Sequence, residues 1–375
     1  MLSLINKDEY YALVLRELKH RYSYKRYDEK MRKAMERYKN CKEKKDINLI
    51  KEEINICKRY WKCFPMHYFR YNLYERKCIL SNEDLLNYIP EFFFYNVFLN
   101  KFDSKKYEFL LEDKNITDSF FDGLNIKQAK TIGRIVKGVL INKNFEIVKD
   151  IKEIIRTTNA LKIFIKPVDG QGGYGIYIFN KKDGNFYSER NEILDKKFID
   201  GILSKDYIIQ EALVQSEEIS NIYDKSVNTF RIATENLNGN VRVVCATLRM
   251  GKDGRQVDNS AQDGLVVGIN VYNGEFYSEA STEEGVKYKK HPDSKFEFKN
   301  KKILRWNEIK KFAEDSARKL GQFTYLGWDI ALTDEGPVAI EANLGFGIDH
   351  YQAAIGGIRR NFNIEDPQKY WKEKI

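Results

Sequence analysis

From Lys7 to about Arg76, apolar residues recur at three- and four-residue spacings, among them Leu13, Leu15 and Leu18 and later Ile47, Ile50 and Ile54. That period predicts amphipathic helices with a polar outer face. The charged run Lys42-Glu43-Lys44-Lys45-Asp46 predicts a break between two of them. After about Asp84 the helical period gives way to short β-rich runs separated by Gly, Asn and Asp turns. Strands are predicted over Gly138–Ile141, Lys162–Pro167, Ile176–Phe179, Tyr207–Gln210, Phe230–Thr234, Val241–Leu248, Trp328–Leu332 and Val338–Ala342. One clear amphipathic helix is predicted over Glu308–Leu320, and no internal repeat or low-complexity linker divides the chain. The expectation is a mixed α+β body with largely antiparallel strands. Its predicted organisation is a basic helical N-terminal region (1–83), a first-lobe segment (84–150) and the remaining lobes (151–375).

With 375 residues, 42% hydrophobic and 14% aromatic, the chain can bury a large core in two or three lobes. Its 32% of charged residues are mixed in sign, which argues against wholesale disorder. No apolar run reaches the ~18 residues that span a bilayer. The nearest, Ile89 to Leu99, is short, carries Glu91 and reads as buried core. Met1 to Tyr11 lacks a basic segment followed by an apolar one, so no secretory signal is expected. The five cysteines form no CxxC pair and the four histidines are scattered, which predicts reduced thiols, a cytoplasmic location and no zinc site.

Charge changes the picture at one end only. Residues 1–80 hold 21 Lys/Arg against 11 Asp/Glu, a net +10, which leaves −1 for the remaining 295 residues. Such an arm is either a solvated helical face or the mark of an anionic partner: an acidic sugar, a nucleotide, a membrane surface or nucleic acid. Tyr22, Tyr24, Tyr27, Tyr60 and Trp61 lie among the basic residues, but no nucleic-acid module accompanies them. Aromatic packing between helices explains them better.

Two stretches carry chemistry. Lys166-Pro167-Val168-Asp169-Gly170-Gln171-Gly172-Gly173-Tyr174-Gly175 sets a glycine-rich tip between two predicted strands. Glycines let backbone N–H groups approach phosphate oxygens, and the lysine adds a point charge. There is no Gly-Lys-Ser/Thr and no following helix, so neither a P-loop nor a Rossmann turn is present. The second stretch, Gly327-Trp328-Asp329 to Glu341-Ala342-Asn343, reads as a hairpin turning at Thr333–Pro337. Alternation puts Glu341 and Asn343 on one face with Asp329 opposite Glu341, while Ile330, Leu332, Val338, Ile340 and Ala342 are expected in the core. Two carboxylates and an amide oxygen aimed at one spot suit Mg2+.

These elements resemble the ATP-grasp superfamily. Lys166 with Gln171, Gly172, Gly173, Tyr174 and Gly175 is similar to its phosphate-covering loop, and Asp329, Glu341 and Asn343 to its metal pattern. Lys114 matches the earlier lysine directed at the α-phosphate. Gln210-Glu211-Ala212-Leu213 resembles the hinge that holds adenine through its backbone, with Glu217 or Glu218 beyond it as candidates for the ribose hydroxyls. Ser226-Val227-Asn228-Thr229-Phe230-Arg231, Leu248-Arg249-Met250-Gly251 and Val257-Asp258-Asn259 resemble the sugar-transfer-associated branch, tied to surface polysaccharide and capsule biosynthesis. The resemblance covers about residues 105–355, but substrate choice does not transfer through Asn236–Asn240 or the polar loop Gly251–Gly264.

The resemblance implies an ATP-grasp fold, two β-rich lobes sandwiching ATP behind a helical N-terminal region. It also implies ATP and Mg2+ as cofactors and a carboxylate–amine ligase working through an acyl phosphate. Arg249, expected to share a strand face with Val241, Val243 and Cys245, and Arg231 are the candidate catalytic residues, with a structural salt bridge as the alternative for each. The implied partners are an acidic sugar, nucleotide sugar or lipid-linked glycan plus an amine, with peripheral contact at the inner membrane face and no sequence-specific nucleic acid. A sugar kinase of the same fold and a non-catalytic nucleotide- or glycan-binding module stand as alternatives.

Overall fold

The structure, a computed structural model, describes residues 24–102, 105–169, 175–255, 264–282 and 285–371. The helical period becomes α1 (Tyr24–Asn40) and α2 (Ile47–Trp61), separated by the charged run that ends at Asp46, while its first stretch, with Leu13, Leu15 and Leu18, lies outside the described residues. Asp46 caps α2 by accepting from the backbone N–H of Asn48. The buried face of α2 carries Ile50, Glu53, Ile54, Cys57 and Trp61, a helical stripe with one carboxylate in it. Glu53 is satisfied there by Lys45 Nζ at 2.8 Å and by the Tyr68 hydroxyl at 2.5 Å. A short helix, α3 (Met66–Arg70), and the aromatic run around Phe92, Phe93 and Phe94 complete this region, all of them buried.

Helix α4 (Lys114–Gly123) leads into a six-stranded antiparallel sheet. Its strands are β1 (Thr131–Val136), β2 (Val139–Asn142), β3 (Lys162–Pro167), β4 (Tyr177–Lys182), β5 (Asn185–Tyr187) and β6 (Tyr207–Glu211), in the order β2-β1-β6-β3-β4-β5. Ile151 and Ile154 from one short helix, and Ile199 and Ile202 from another, close the core of this lobe.

The second sheet is also antiparallel and has the order β11-β10-β9-β8-β7-β12-β13. Its strands are β7 (Thr229–Leu237), β8 (Asn240–Met250), β9 (Leu265–Ile269), β10 (Phe276–Ser281), β11 (Lys287–Tyr288), β12 (Tyr325–Thr333) and β13 (Gly336–Asn343). Helix α5 (Trp306–Lys319) covers one face, where Phe230, Ile232, Leu248, Trp328 and Ile330 meet Ile309, Ala313 and Ala317. On the other face lie α6 (Asp349–Ile355) and the N-terminal helices. Ala233, Cys245 and Tyr325 of the sheet share that core with Trp61, Phe94, Phe98, Tyr351 and Phe362. Residues from both ends of the described chain therefore pack against the same sheet face.

Two bulges correct the expected side-chain directions. The pairing steps from Asp329↔Glu341 to Ile330↔Ala339, so Ile340 is the extra residue. Ala339 takes the core place expected for Ile340, which is left half-exposed. On β8 the pairing steps from Ala233↔Cys245 to Thr234↔Val243, skipping Val244. Val243 consequently joins the α5 side, and Arg249 shares its face with Thr247 and Cys245 rather than with Val241 and Val243.

Candidate active site

Directly paired residues of an antiparallel ladder share a face. Arg231 pairs with both Thr247 and Asp329, Thr229 with Arg249, Asp329 with Glu341, and Gly327 with Asn343. One face of the second sheet thus gathers Thr229, Arg231, Arg249, Asp329, Glu341 and Asn343. Gly327 is required at this level: a Cβ there lies 2.2 Å from the Cβ of Phe346, whose ring presses on the strand.

Asp329 is 4% exposed and sits between the two arginines. Arg231 Nε lies 2.9 Å from its Oδ1, and Arg249 Nη2 donates to its Oδ2 at 3.1 Å. Arg249 also donates through Nε and Nη2 to the Thr229 hydroxyl, at 3.0 and 2.9 Å. A buried carboxylate flanked in this way compensates charge and fixes both guanidinium planes. Glu341, across the ladder from Asp329, keeps about a third of its side chain exposed and lies 3.9 Å from Lys114 Nζ.

The lysines arrive from the other lobe. Asp113 caps α4, and the backbone N–H of Lys114 donates to Val168 O at 3.2 Å, which docks the start of the helix beside the end of β3. The buried Arg134–Asp118 ion pair holds the same helix to β1. Lys166 Nζ donates to Gln210 Oε1 at 3.1 Å. Its pKa falls to about 8, chiefly through burial and further through Lys114, while Glu341 opposes the fall. Lys114, Lys166 and Glu341 are thus brought together across the cleft between the two sheets.

The remaining candidates divide. Glu211 closes β6, where its Oε1 accepts from Lys130 and Thr158, both at 2.5 Å, and Ala212 N donates to Lys162 O. Leu213 follows half-buried at the rim of the first sheet. Glu218 does not join the cleft group: its Oε1 accepts from the backbone N–H of Leu304, just before α5. Glu217 is exposed in the first turn of the same short helix. Gly175 has φ +74°, the left-handed region that glycine favours. Gln171, Gly172, Gly173 and Tyr174, like Asp258 and Asn259, lie outside the described residues.

Two neighbours of the arginines escape the motif reading. His350 and Tyr351, at the start of α6, feel the charges of both Arg231 and Arg249. Burial first, and the arginines after it, hold His350 down at about 4, and burial raises the Tyr351 hydroxyl well above its usual range. The signal available was their position a few residues beyond Glu341-Ala342-Asn343. Thr229 was legible only as a neighbour of Arg231.

The cleft face carries four cations, Lys114, Lys166, Arg231 and Arg249, against the carboxylates of Asp329 and Glu341, an excess that suits a polyanion such as a nucleotide phosphate chain. Among the described residues no group of three or more His, Cys, Asp or Glu side chains is placed to hold a metal. Of the three expected metal ligands, Asp329 is instead taken up by Arg231 and Arg249, while Glu341, 3.9 Å from Lys114, and Asn343 share one face as oxygen donors of the kind that would hold a phosphate-borne Mg2+.

A fold of this kind, with this cleft, is that of the ATP-grasp proteins. The chain belongs to the sugar-transfer associated ATP-grasp family, whose model matches residues 94–363. No curated protein matches it. Among solved structures, the chain is similar to the ATP-grasp ligase PsnB complexed with a phosphomimetic variant of its minimal precursor, Mg and ADP, at 12% identity, 72% coverage of this chain, 62% of that one and a TM-score of 0.42. It is also similar to the L-amino acid ligase from Bacillus licheniformis, at 13% identity, 68% and 43% coverage and a TM-score of 0.36. A third is the biotin carboxylase from Campylobacter jejuni, at 10% identity, 70% and 46% coverage and a TM-score of 0.39. The chain spans less than two thirds of the length of each.

Proposed function

We propose that the protein is an ATP- and Mg2+-dependent carboxylate–amine ligase acting through an acyl phosphate, and that its acid is a sugar acid used in surface polysaccharide biosynthesis. The convergence of Lys114, Lys166 and Glu341 beside the Arg231–Asp329–Arg249 cluster carries the reading. Mg-ATP supplies the phosphoryl group that turns a carboxylate into an acyl phosphate. Lys114 and Lys166 neutralise the phosphate chain, and Glu341 with Asn343 holds the cation. Asp329 orients Arg231 and Arg249, whose guanidinium groups hold the acid and the charge that develops on it when an amine attacks. Membership of a sugar-transfer associated family supports the choice of acid. Capsule formation as the destination, the cytoplasm as the setting and peripheral contact with a membrane face belong to the same reading. No helix among the described residues is long and apolar enough to cross a membrane.

The test is release of ADP and phosphate from Mg-ATP against a panel of uronic acids and UDP-uronic acids, each with and without pooled amines. Glu341→Ala serves as the control. Release that needs both acid and amine, and is lost in the variant, is the expected result. Phosphate retained on a sugar without any amine would replace the ligase by a kinase. Nucleotide binding with no turnover on any acid would leave a binding module.

A further inference from the structure

The basic N-terminal region lies wholly before the family match at residues 94–363, yet part of its charge is internal. The Arg70 guanidinium is buried and bridges two carboxylates: one nitrogen meets Glu91 and the other donates to Asp349 Oδ2 at 2.8 Å. Lys30 Nζ reaches the same Asp349 oxygen at 3.2 Å and lies 3.8 Å from Glu91 Oε2. Two cations and two anions thus form a closed quartet in which Lys30 alone is partly exposed. Asp349 opens α6, and two residues on, Tyr351 packs in the same core as Cys245, which shares a strand face with Arg249.

Other contacts fix the rest of α6. The buried amide of Gln352 accepts from Ile89 N at 2.6 Å and donates to Ile89 O at 2.9 Å. The backbone N–H of Ile348 donates to the Tyr95 hydroxyl at 3.2 Å, and Lys287 Nζ donates to Ala353 O at 2.6 Å. Apart from Lys287, these partners come from residues 30–95.

We propose that Arg70 is a positioning residue for the anion side of the active site, acting through Asp349 on α6, which packs on the sheet face that carries Arg231 and Arg249. The N-terminal region is then a working part of the catalytic lobe. This rests on the ligase reading, in which inorganic phosphate is a product released beside those arginines. The probe is therefore inorganic phosphate, titrated calorimetrically into the full chain already loaded with Mg-ADP.

Arg70→Lys keeps the charge but loses the fork that spans two carboxylates. The expected result is phosphate affinity weakened about tenfold, as for loss of one charge-assisted hydrogen bond, with Mg-ADP affinity unchanged within about twofold. Adding Asp349→Glu, which lengthens the partner as the lysine shortens the cation, restores phosphate affinity. Amides of residues 348–356 exchange faster in the single variant, while those of β3 and β6 do not. If the phosphate and Mg-ADP constants fall together, or neither moves, the network is only structural and the proposal fails. It also fails if the loaded wild type binds no phosphate. Failure of the wild type to bind Mg-ADP would instead sink the ATP-dependent reading itself.

Discussion

Replacing Lys166 by methionine should stabilise the empty protein while weakening its hold on nucleotide. The lysine carries a pKa of about 8 against an ordinary 10.5, so the folded state disfavours its charged form. At about 1.4 kcal/mol per pH unit, charging it in the empty site is unfavourable by about 3 kcal/mol at neutral pH, less whatever its partial exposure screens. Methionine removes that penalty but leaves Gln210 Oε1 without its donor, a loss of about 1 kcal/mol. The net expectation at pH 7 is a gain of about 1–2 kcal/mol. The sign follows from proton linkage: between pH 8 and 10.5 the unfolded chain binds the extra proton, so wild-type stability rises with pH across that window. The advantage of Lys166→Met is therefore complete below pH 8 and gone by about pH 10.5. Urea midpoints of both proteins at pH 7 and pH 10, with and without Mg-ADP, measure it. Nucleotide should reverse the order at pH 7, because a charge-assisted contact to phosphate is worth about ten- to a hundredfold in affinity. A variant less stable than wild type at pH 7 without nucleotide, or equally advantaged at pH 10, would refute the assignment of Lys166 as a buried cation awaiting an anion.

Three further outcomes are expected. Glu341→Gln should weaken Mg-ADP binding while leaving metal-free ADP binding equal or tighter, since it removes a carboxylate 3.9 Å from Lys114; titration with and without EDTA separates the two. Asp329→Asn leaves two buried guanidinium groups facing an amide and should lower stability by about 3–5 kcal/mol, read as a fall in the denaturation midpoint. Gly327→Ala sets a methyl against Cβ of Phe346 and should destabilise by about 1–3 kcal/mol, read as a fall in the denaturation midpoint.

Much of this architecture was legible because it is local. The break at Lys42–Asp46, the strand Lys162–Pro167 and the pairing of Asp329 with Glu341 follow from caps, alternation and turn chemistry. The short strands Asn185–Tyr187, Phe276–Ser281 and Lys287–Tyr288 were missed, as were two longer ones whose burial has no alternation. Leu265–Ile269 is buried at every position between two neighbouring strands, and Thr131–Val136 carries a glycine and an arginine in its middle. Single-residue bulges at Val244 and Ile340 leave no mark in a periodicity, so the side-chain directions beyond them came out reversed. Glu218 was placed by sequence distance from the hinge, and its true partner, Leu304 N, lies 86 residues away. The Arg231–Asp329–Arg249 cluster joins three strands, and no spacing rule contains it.

The clasp between the chain's two ends has a consequence during synthesis. The Tyr60 hydroxyl donates to Glu365 O across 305 residues, Trp371 Nε1 donates to Trp61 O, and Phe362 fills the core beside Phe94 and Phe98. The N-terminal helices therefore wait for partners that leave the ribosome about 305 residues later. At about 5–20 residues per second that delay is roughly 15–60 s, during which Trp61, Phe93 and Phe98 have no native lid. Nascent chains that terminate before Phe362 would carry this bare aromatic surface permanently, making the helices around Trp61 and Phe98 the aggregation hazard of a late truncation.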